Sequence, residues 1–441
     1  MGSVVVGLGK TGASCLRYLA RLGVAASATD TRTLPPGLDE LGDLKDRLDI
    51  RLGGFDLSLL DGATQVLMSP GVSLDEPIAA QARARGIEVV GDIELFARAV
   101  RAPVIGITGT NGKSTVTSLV AHMAEAAGRR VLAGGNLGLP ALDLLDRPVP
   151  DLYVLELSSF QLETTSSLQL LGAVVLNVTA DHMDRYASVA QYAKAKQRIY
   201  AHAATLVLNA DDPWVASMRR AGARTLTFSL LRDDADYGLV VDGPVTYLAH
   251  LGERLLDAAR LKISGMHNVA NALAALALGD AAGLPLAPML QALESFPGLP
   301  HRAAWVADVH EVRYVDDSKG TNVGATIAAV AGISKPLVLI AGGEGKGQDF
   351  TPLADAFRGR VRTAVLIGKD AMVIESVLTG VCRIVRAASM QEAVRAAAFE
   401  ARPGDVVLLS PACASFDMFR DYAERGAVFA AAVRQLSGAQ A

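Results

Sequence analysis

The segment Val-Ile-Gly-Ile-Thr-Gly-Thr-Asn-Gly-Lys-Ser-Thr, residues 104–115, joins an apolar strand to a helical segment. Glycines at a strand-to-helix turn let backbone amides approach a phosphate, and a lysine neutralises its charge. Gly-Lys-Ser is the core of a P-loop, although Gly106 and Gly109 lack the strict Walker spacing. Lys113 is therefore predicted to contact the β- and γ-phosphates of ATP, and the Ser114 hydroxyl to bind Mg²⁺.

Two segments at the ends of other predicted strands contain side chains that could bind a metal ion. Glu156 ends the predicted strand that begins at Tyr153, where P-loop proteins place the carboxylate that holds their metal. His182 lies between two acids in Asp-His-Met-Asp, residues 181–184, after an apolar run. It is predicted to serve a second metal or an anionic substrate, and an ordinary loop histidine fits the composition equally well.

A second glycine cluster lies at the N-terminus, where Gly-Leu-Gly-Lys-Thr-Gly (residues 7–12) follows the predicted strand Ser3–Val6 and opens a helix. Asp30 ends the next strand, about where an acid that binds a ribose would lie. The pattern predicts a diphosphate site, but NAD, FAD and other nucleotide diphosphates would satisfy it equally.

A third group of loops lies near the C-terminus, each after a predicted strand and before a helix. They contain Lys319, Lys346 within the glycines of residues 342–347, and Ser415 in Ser-Pro-Ala-Cys-Ala-Ser. Ligands gather at the carboxyl ends of parallel strands, so these loops predict a small anionic second substrate. Cys413 has no activating base in its motif and is predicted to be buried and inert.

The composition limits the class of protein. The chain has 441 residues, of which 51% are hydrophobic, and a net charge of −4, which argues against disorder and a large nucleic-acid footprint. Mean hydropathy is +0.30, yet no apolar run reaches the about 18 residues of a membrane span. Three cysteines without metal-ligand spacing, and no signal-peptide pattern, predict a reduced, cytoplasmic setting.

Short Val/Ile/Leu runs alternate with amphipathic segments, which predicts an α/β fold of largely parallel sheets. We expect three domains, with limits 1–92, 93–298 and 299–441: a Rossmann-like domain, a P-loop domain and a second Rossmann-like domain. A β-hairpin turning at Asp242–Gly243 is expected as a small β extension of the central domain.

Together these motifs resemble those of the Mur ligase family of ATP-dependent amide ligases. The family's loop, Gly-x-Thr-Gly-Thr/Ser-Asn-Gly-Lys-Ser/Thr, accounts for the departure from Walker spacing. The N-terminal GLGKTG, with ELSSFQLE, DHMDRY, DSKGTN and SPACASFDMF (residues 156–163, 181–186, 317–322 and 410–419), looks like the members that add D-glutamate. The likeness covers nearly the whole chain.

The resemblance implies that ATP activates the L-alanine carboxylate of UDP-N-acetylmuramoyl-L-alanine and that D-glutamate then attacks the acyl phosphate. It implies ATP, two Mg²⁺ and a carbamylated lysine as cofactors, and a monomer that needs neither nucleic acid nor a membrane. The family's lysine falls on Lys196 in Ala-Lys-Gln-Arg-Ile-Tyr, whereas from the residues alone Lys194 would be equally plausible.

The resemblance also assigns site residues. The implied catalytic residues are Lys113, His182, Lys196 and Lys319. Those for ATP are Gly109, Thr110, Asn111, Gly112, Lys113, Ser114, Thr115, Asn268, Asn271, Arg302 and Asp317. Those for the UDP substrate are Gly9, Lys10, Thr11, Asp30, Thr31, Arg32, Gly71, Asn136, Gln161 and His182. D-glutamate is assigned Thr321, Lys346, Ser415 and Tyr422, the last where the family often has Phe, and the metals Ser114, Glu156, His182 and carbamylated Lys196.

Three alternatives remain open at this point. A folylpolyglutamate synthase-like ligase would share the Gly-Thr-Asn-Gly-Lys-Ser loop but would not explain the N-terminal glycines. An NAD-dependent oxidoreductase would use Gly7, Gly9, Gly12 and Asp30 but would leave the P-loop and Glu156 without a role. A regulatory P-loop switch would leave the C-terminal lysine loops unexplained.

Overall fold

The structure, a computed structural model, describes residues 2–263 and 265–438. It forms two compact units. The first contains the described residues up to Val178, together with Ala190–Leu256 and Ala272–Leu293. The second contains Thr179–Val189, Asp257–Asn271 and the described residues from Glu294 onward.

The first sheet is a five-stranded parallel sheet in the first unit, with strand order β3-β2-β1-β4-β5. Its strands are β1 (Gly2–Val6), β2 (Ala26–Asp30), β3 (Asp49–Leu52), β4 (Ala63–Met68) and β5 (Glu88–Val90). The accompanying helices are α1 (Lys10–Arg21), α2 (Pro77–Ala84) and α3 (Asp92–Ala99), with 3₁₀ turns at Asp39–Arg47 and Leu57–Leu60.

The second sheet also lies in the first unit and has nine strands, in the order β14-β13-β12-β11-β10-β9-β6-β8-β7. They are β6 (Val104–Thr108), β7 (Val131–Gly135), β8 (Leu152–Glu156), β9 (Leu170–Val175), β10 (Ala203–Asn209), β11 (Arg224–Phe228), β12 (Tyr237–Asp242), β13 (Val245–His250) and β14 (Glu253–Asp257). The helices between α3 and the third sheet are α4 (Lys113–Ala126), α5 (Ala141–Leu144), α6 (Ser159–Glu163), α7 (Val189–Gln197), α8 (Pro213–Ala216), α9 (Met266–Ala281) and α10 (Leu286–Ser295), with 3₁₀ turns at Arg198–Tyr200 and Ala258–Arg260. Strands β6 to β11 pair in parallel, whereas β12 and β13 form the predicted antiparallel hairpin.

The third sheet, in the second unit, has the order β15-β16-β20-β17-β18-β19 and one antiparallel pair, β15 with β16. Its strands are β15 (Ala304–Val309), β16 (Val312–Asp316), β17 (Leu337–Gly342), β18 (Val361–Ile367), β19 (Arg383–Arg386) and β20 (Val406–Leu409). The helices are α11 (Val323–Ala331), α12 (Pro352–Phe357), α13 (Ala371–Leu378), α14 (Met390–Glu400) and α15 (Tyr422–Gly438).

Strand β17 illustrates why mean hydropathy is positive. Successive side chains of a strand point to opposite faces, and both faces of β17 are buried. Leu337 and Leu339 pack into one apolar cluster, while Val338 and Ile340 pack into another. Parallel strands that are covered on both faces therefore contain many of the apolar residues that make mean hydropathy positive. Among the described residues, no helix is long and apolar enough to cross a membrane.

The sheets confirm the predicted α/β class with its three sheet-based domains, and most of the predicted strands lie within two or three residues of the observed ones. The strands that were not predicted from the sequence are β3, β4, β5, β7, β10, β11, β14 and β15. Strand β15 follows the predicted Pro/Gly linker and pairs antiparallel with β16, an arrangement that the βα alternation does not signal.

Candidate active site

The residues predicted to bind phosphate lie in the loop between β6 and α4. Gly112, the residue before α4, has a φ of 85°, and Gly109 has a φ of 154°. A Cβ on Gly109 would lie 2.9 Å from the Cβ of Leu176. The loop therefore needs glycine at both positions, since side chains disfavour positive φ and Gly109 has no room for one.

Asn177, shortly after β9, holds the P-loop from the neighbouring strand. Its side-chain oxygen accepts a hydrogen bond of 2.8 Å from the Asn111 amide, and its Nδ2 donates to the Asn111 carbonyl at 3.1 Å. The Thr110 amide donates to the Asn177 carbonyl at 2.9 Å. Asn177 was not predicted, because an asparagine after a strand forms no motif; its place at the carboxyl end of β9 is the only signal that the sequence offers.

Two lysines converge on one carbonyl of this loop. The Lys113 Nζ donates to the carbonyls of Gly109 and Thr110, each at 2.8 Å. The Lys196 Nζ donates to the same Gly109 carbonyl, also at 2.8 Å. Lys196 is 1% exposed, and its Nζ lies 4.3 Å from the ring centroid of Tyr192. Helix α7 thus places the buried Lys196 Nζ at the P-loop.

The neighbouring lysine of α7 behaves differently. Lys194 is exposed to solvent, whereas Lys196 is buried at the P-loop. The structure thereby separates the two lysines that residue patterns alone left equivalent.

Glu156 ends β8 beside the P-loop. Strand pairing sets it opposite Ile107 of β6 and Gly135 of β7, and its side chain is buried. The Asn136 Nδ2 donates to Glu156 Oε1 at 2.6 Å, and the Asn136 amide donates to the Glu156 carbonyl at 2.8 Å. A Cβ on Gly135 would collide with that carbonyl, so Asn136 can approach only because a glycine precedes it.

These groups are compatible with a hard metal ion. The Glu156 carboxylate and the Ser114 hydroxyl, both buried, are the oxygen donors that Mg²⁺ prefers, and Ser114 opens α4 next to Lys113. No group of three or more His, Cys, Asp or Glu side chains suited to a metal occurs among the described residues. Any Mg²⁺ here would thus draw most of its ligands from phosphates and water, as Mg²⁺ usually does.

The N-terminal glycine loop is held by Asp30. Its carboxylate accepts hydrogen bonds from the Leu8 amide at 2.6 Å and from the Arg32 Nε and Nη2 at 2.9 and 2.7 Å. Burial acts against its charged form, but the bonds from Arg32 and Leu8 prevail, and its pKa is lowered. Both oxygens are engaged within the protein, which disfavours a ribose-binding role of the dinucleotide type. Thr11, Thr31 and Gly71 lie at the same carboxyl edge of the first sheet.

Two other predicted UDP-substrate residues make internal contacts. The Lys10 Nζ donates to the Gly138 carbonyl at 2.9 Å. The Gln161 side chain is buried; its Nε2 donates to Asp92 Oδ2 and its Oε1 accepts from the Ser158 amide, each at 3.0 Å. Gln161 and Ser158 thus form a capping box at the start of α6, which follows Glu156 closely in the sequence.

In the second unit, the three predicted anion loops follow β16, β17 and β20, which are adjacent parallel strands. Arg425 of α15 joins two of these loops. Its guanidinium donates to the Ser318 hydroxyl and carbonyl at 3.0 and 2.8 Å and to the carbonyls of Cys413 and Ala414 at 3.1 and 3.3 Å. Arg425 is 1% exposed, and burial lowers its pKa to about 10. Arg425 was not predicted from the sequence, since it lies within a helix and belongs to no motif.

Lys319 lies against an aromatic ring. Its Nζ is 3.6 Å from the ring centroid of Tyr422, within the range of a cation–π contact, and its amide donates to the His301 carbonyl. His301 also pairs with Asp316 at 2.6 Å. The structure thus brings together Lys319 and Tyr422, which the sequence analysis had assigned to catalysis and to D-glutamate.

Asp181 joins two further elements of this unit. It lies 3.4 Å from the Lys346 Nζ and accepts a hydrogen bond of 3.2 Å from Asn322. The adjacent His182 has a φ of 57° and donates its amide to the Asp181 carboxylate. Through these contacts Asp181 connects Lys346, and Asn322 at the start of α11, to the segment that contains His182.

The structure also gives the surroundings of the other residues of the second unit that the sequence singled out. Burial raises the pKa of Asp317 to about 7, although the Ser410 hydroxyl and the Ala303 amide act to lower it. Asn271 donates to Asn268 at 3.1 Å within α9. Cys413 is fully buried and burial raises its pKa to about 12, as expected for an inert thiol. Arg302, Thr321 and Ser415 also lie in this unit.

Three models of known protein families match successive parts of the chain. Residues 2–91 match the Mur ligase MurD-like N-terminal domain, 107–279 the Mur ligase middle domain and 301–413 the Mur ligase glutamate ligase domain. The chain belongs to the Mur ligase family. The match to the Mur ligase middle domain includes the P-loop, which the oxidoreductase alternative leaves without a role, so the comparison disfavours that alternative.

Individual Mur ligases are similar over their full length. The UDP-N-acetylmuramoylalanine–D-glutamate ligase of Nitrosococcus oceani is 56% identical over 437 residues, covering 98% of this chain and 96% of that protein. The enzyme of the same name from Pseudomonas aeruginosa is 49% identical over 439 residues, with 98% of each covered. The solved UDP-N-acetylmuramate-alanine ligase of Thermotoga maritima shares the fold, with a TM-score of 0.63, 20% identity and 100% of each chain covered.

Proposed function

We propose that this protein is an ATP-dependent ligase that joins D-glutamate to UDP-N-acetylmuramoyl-L-alanine in peptidoglycan precursor synthesis. The observation that carries the proposal is the P-loop itself. It is held by Asn177, faced by Lys113 and Lys196, and lies beside the buried Glu156. The full-length relatives named for this reaction support the same substrates.

The proposed chemistry begins with attack by an oxygen of the L-alanine carboxylate on the γ-phosphorus of ATP. This forms an acyl phosphate and releases ADP. The D-glutamate amine then adds to the acyl carbon, and the tetrahedral intermediate expels phosphate as the amide forms. The reacting groups are all anionic except the amine, so positioning and charge stabilisation are the main contributions of the protein.

Within the P-loop, Lys113 has the role of neutralising the transferred phosphoryl group. Its ammonium lies on the Gly109 and Thr110 carbonyls, so a short rotation about its side chain would bring it to a phosphate in the same loop. The Ser114 hydroxyl and the Glu156 carboxylate would hold Mg²⁺, which when bound neutralises phosphate charge. Asn136 fixes the orientation of the Glu156 carboxylate.

Carbamylation of Lys196 is part of the proposal. Two ammonium groups that share one carbonyl acceptor repel each other, and Lys196 is too buried for water to screen that repulsion. Addition of CO₂ to the neutral amine gives a carbamate and releases a proton, which replaces the repulsion by attraction to Lys113. We assign this carbamate, with His182, to the second Mg²⁺.

For D-glutamate we propose the loops of the second unit. Lys346, Thr321 and Ser415 supply a cation and two hydroxyl groups for its carboxylates, and Lys319, held by the Tyr422 ring, supplies a further cation. Arg425 keeps the loops of Lys319 and Ser415 together. For the nucleotide, Asn268, Asn271, Arg302 and Asp317 are assigned to the adenosine and its phosphates.

The UDP moiety is assigned to the glycine loop of the first sheet and to Thr11, Thr31, Arg32 and Gly71. We also propose the domain limits 1–92, 93–298 and 299–441, a cytoplasmic location where ATP and UDP-linked precursors are present, and a monomer. The residues assigned to ATP, to the UDP substrate and to D-glutamate all belong to one chain, which supports the monomer.

The test is phosphate release by the purified protein. Release is expected only when ATP, Mg²⁺, UDP-N-acetylmuramoyl-L-alanine and D-glutamate are all present, and Lys113→Ala should abolish it. Equal turnover with L-glutamate, or phosphate release without the UDP substrate, would contradict the proposed substrates.

A further inference from the structure

One face of α1 contacts the segment that follows β7 through polar side chains. Lys10, Ser14, Arg17 and Arg21 are spaced by four, three and four residues, so they lie on a single face of the helix. All four reach the segment of residues 138–146, which includes α5.

Asp143 is the centre of these contacts. Its Oδ1 accepts a hydrogen bond of 2.7 Å from the Ser14 hydroxyl, and its Oδ2 pairs with the Arg17 Nη2 at 2.7 Å. Lys10 donates to the Gly138 carbonyl on one side, and Arg21 pairs with Asp146 on the other. Ser14 is fully buried, and the carboxylate of Asp143 is largely so. Charge-assisted bonds of this kind have defined geometry and are stronger than neutral ones.

The two segments joined by this contact lie next to two different parts of the proposed substrate site. Helix α1 begins inside the N-terminal glycine loop, at Lys10. The 138–146 segment follows Asn136, and the Gly135 amide donates to the Leu139 carbonyl, so the turn is closed onto the end of β7. The hydrogen bond from Asn136 to Glu156 then connects this segment to the Glu156 carboxylate.

We propose that Asp143 is a positioning residue that fixes the distance between the glycine loop and the Asn136–Glu156 pair. A substrate that spans both places needs this distance to be constant, whereas a ligand that contacts only the glycine loop does not. The inference rests on the proposed function, in which the UDP group lies at the glycine loop and the activated carboxylate near Glu156.

The experiment compares two ligands by calorimetry on the purified protein. Asp143→Ala and Arg17→Met are expected to weaken UDP-N-acetylmuramoyl-L-alanine about tenfold and to leave the affinity for UDP alone unchanged. Asp143→Asn retains the acceptor for Ser14 and should recover part of the loss. Asp61→Ala removes an exposed ion pair with Arg85 in the same unit and serves as the matched control.

The outcomes separate the inference from a purely structural role. Equal weakening of UDP and of the full substrate, or no weakening of either, would overturn it. Amide hydrogen exchange without ligand gives an independent reading: residues 135–139 should exchange faster in Asp143→Ala and in Arg17→Met. Unchanged exchange there contradicts the inference, whereas failure of the unmodified protein to bind the UDP substrate contradicts the proposed function instead. Arg17→Met, at a half-exposed residue, replaces Asp143→Ala if the latter does not fold.

Discussion

The Lys113 and Lys196 ammonium groups both donate to the Gly109 carbonyl, each at 2.8 Å. Two cations thus lie within two hydrogen-bond lengths of one another, in a place where burial removes most of the screening by water. A carbamate on Lys196 would turn this repulsion into attraction. The pair connects the P-loop to helix α7, which no local motif links to it.

Replacement of Lys196 should be rescued by small carboxylates. Lys196→Ala is expected to lower kcat by at least about 100-fold, and added formate or acetate should restore part of it by supplying the missing anion. Lys194→Ala, the exposed lysine of the same helix, is the matched control and should retain full activity. An unaltered kcat in Lys196→Ala would exclude a role for this lysine.

Asn177 should control ATP binding. Asn177→Ala removes the side-chain bonds to both backbone groups of Asn111, at a cost of about 0.5–1.5 kcal/mol for each hydrogen bond lost. We expect the KM for ATP to rise about tenfold or more, with the KM for D-glutamate nearly unchanged. Initial-rate kinetics with each substrate varied in turn would check this, and an equal rise in both KM values would argue against a specific effect on the P-loop.

Arg425 should matter both to stability and to D-glutamate. Arg425→Met removes this donor from the carbonyls of Ser318 and Cys413, while the Ala414 carbonyl keeps its bond from the Glu344 amide. The loss should cost several kcal/mol at about 1–3 kcal/mol for each of the two buried groups. Urea denaturation should report the loss, and the KM for D-glutamate should rise. The exposed Arg420 is the control, since Arg420→Met is expected to change stability by no more than about 0.5 kcal/mol.

Asp317 should make stability fall as pH rises. Burial raises its pKa to about 7 in the folded protein, against about 4 in an unfolded chain. Between these values the folded state binds more protons than the unfolded state, so the free energy of unfolding decreases from pH 4 to pH 7 and the loss is complete above pH 7. Asp317→Asn should flatten this part of the profile. Parallel pH profiles of wild type and variant would contradict the assignment.

The sequence was sufficient for the features encoded by short segments. The glycines and Lys113 of the P-loop, the strand end at Glu156 and the hairpin at Asp242–Gly243 were all predicted from local pattern and lie as expected. Conformational demands such as a positive φ leave a clear signal in a sequence, because glycine satisfies them at low cost.

Features that depend on contacts between distant segments were not predictable. Asn177, Arg425 and Asp143 act through partners 66, 107 and 129 residues away, and none belongs to a recognisable motif. The choice between Lys194 and Lys196 likewise depended on which face of α7 meets the P-loop. Such contacts are determined by how the sheets and helices pack, which residue patterns do not specify.

The path of one oxygen atom tests the central claim most directly. UDP-N-acetylmuramoyl-L-alanine labelled with ¹⁸O in both oxygens of the alanine carboxylate would be converted with ATP and D-glutamate, and the released phosphate analysed by mass spectrometry. An acyl phosphate requires one labelled oxygen in each phosphate released, with the other kept in the new amide. Phosphate without label, formed at the same rate as the amide, would contradict the account.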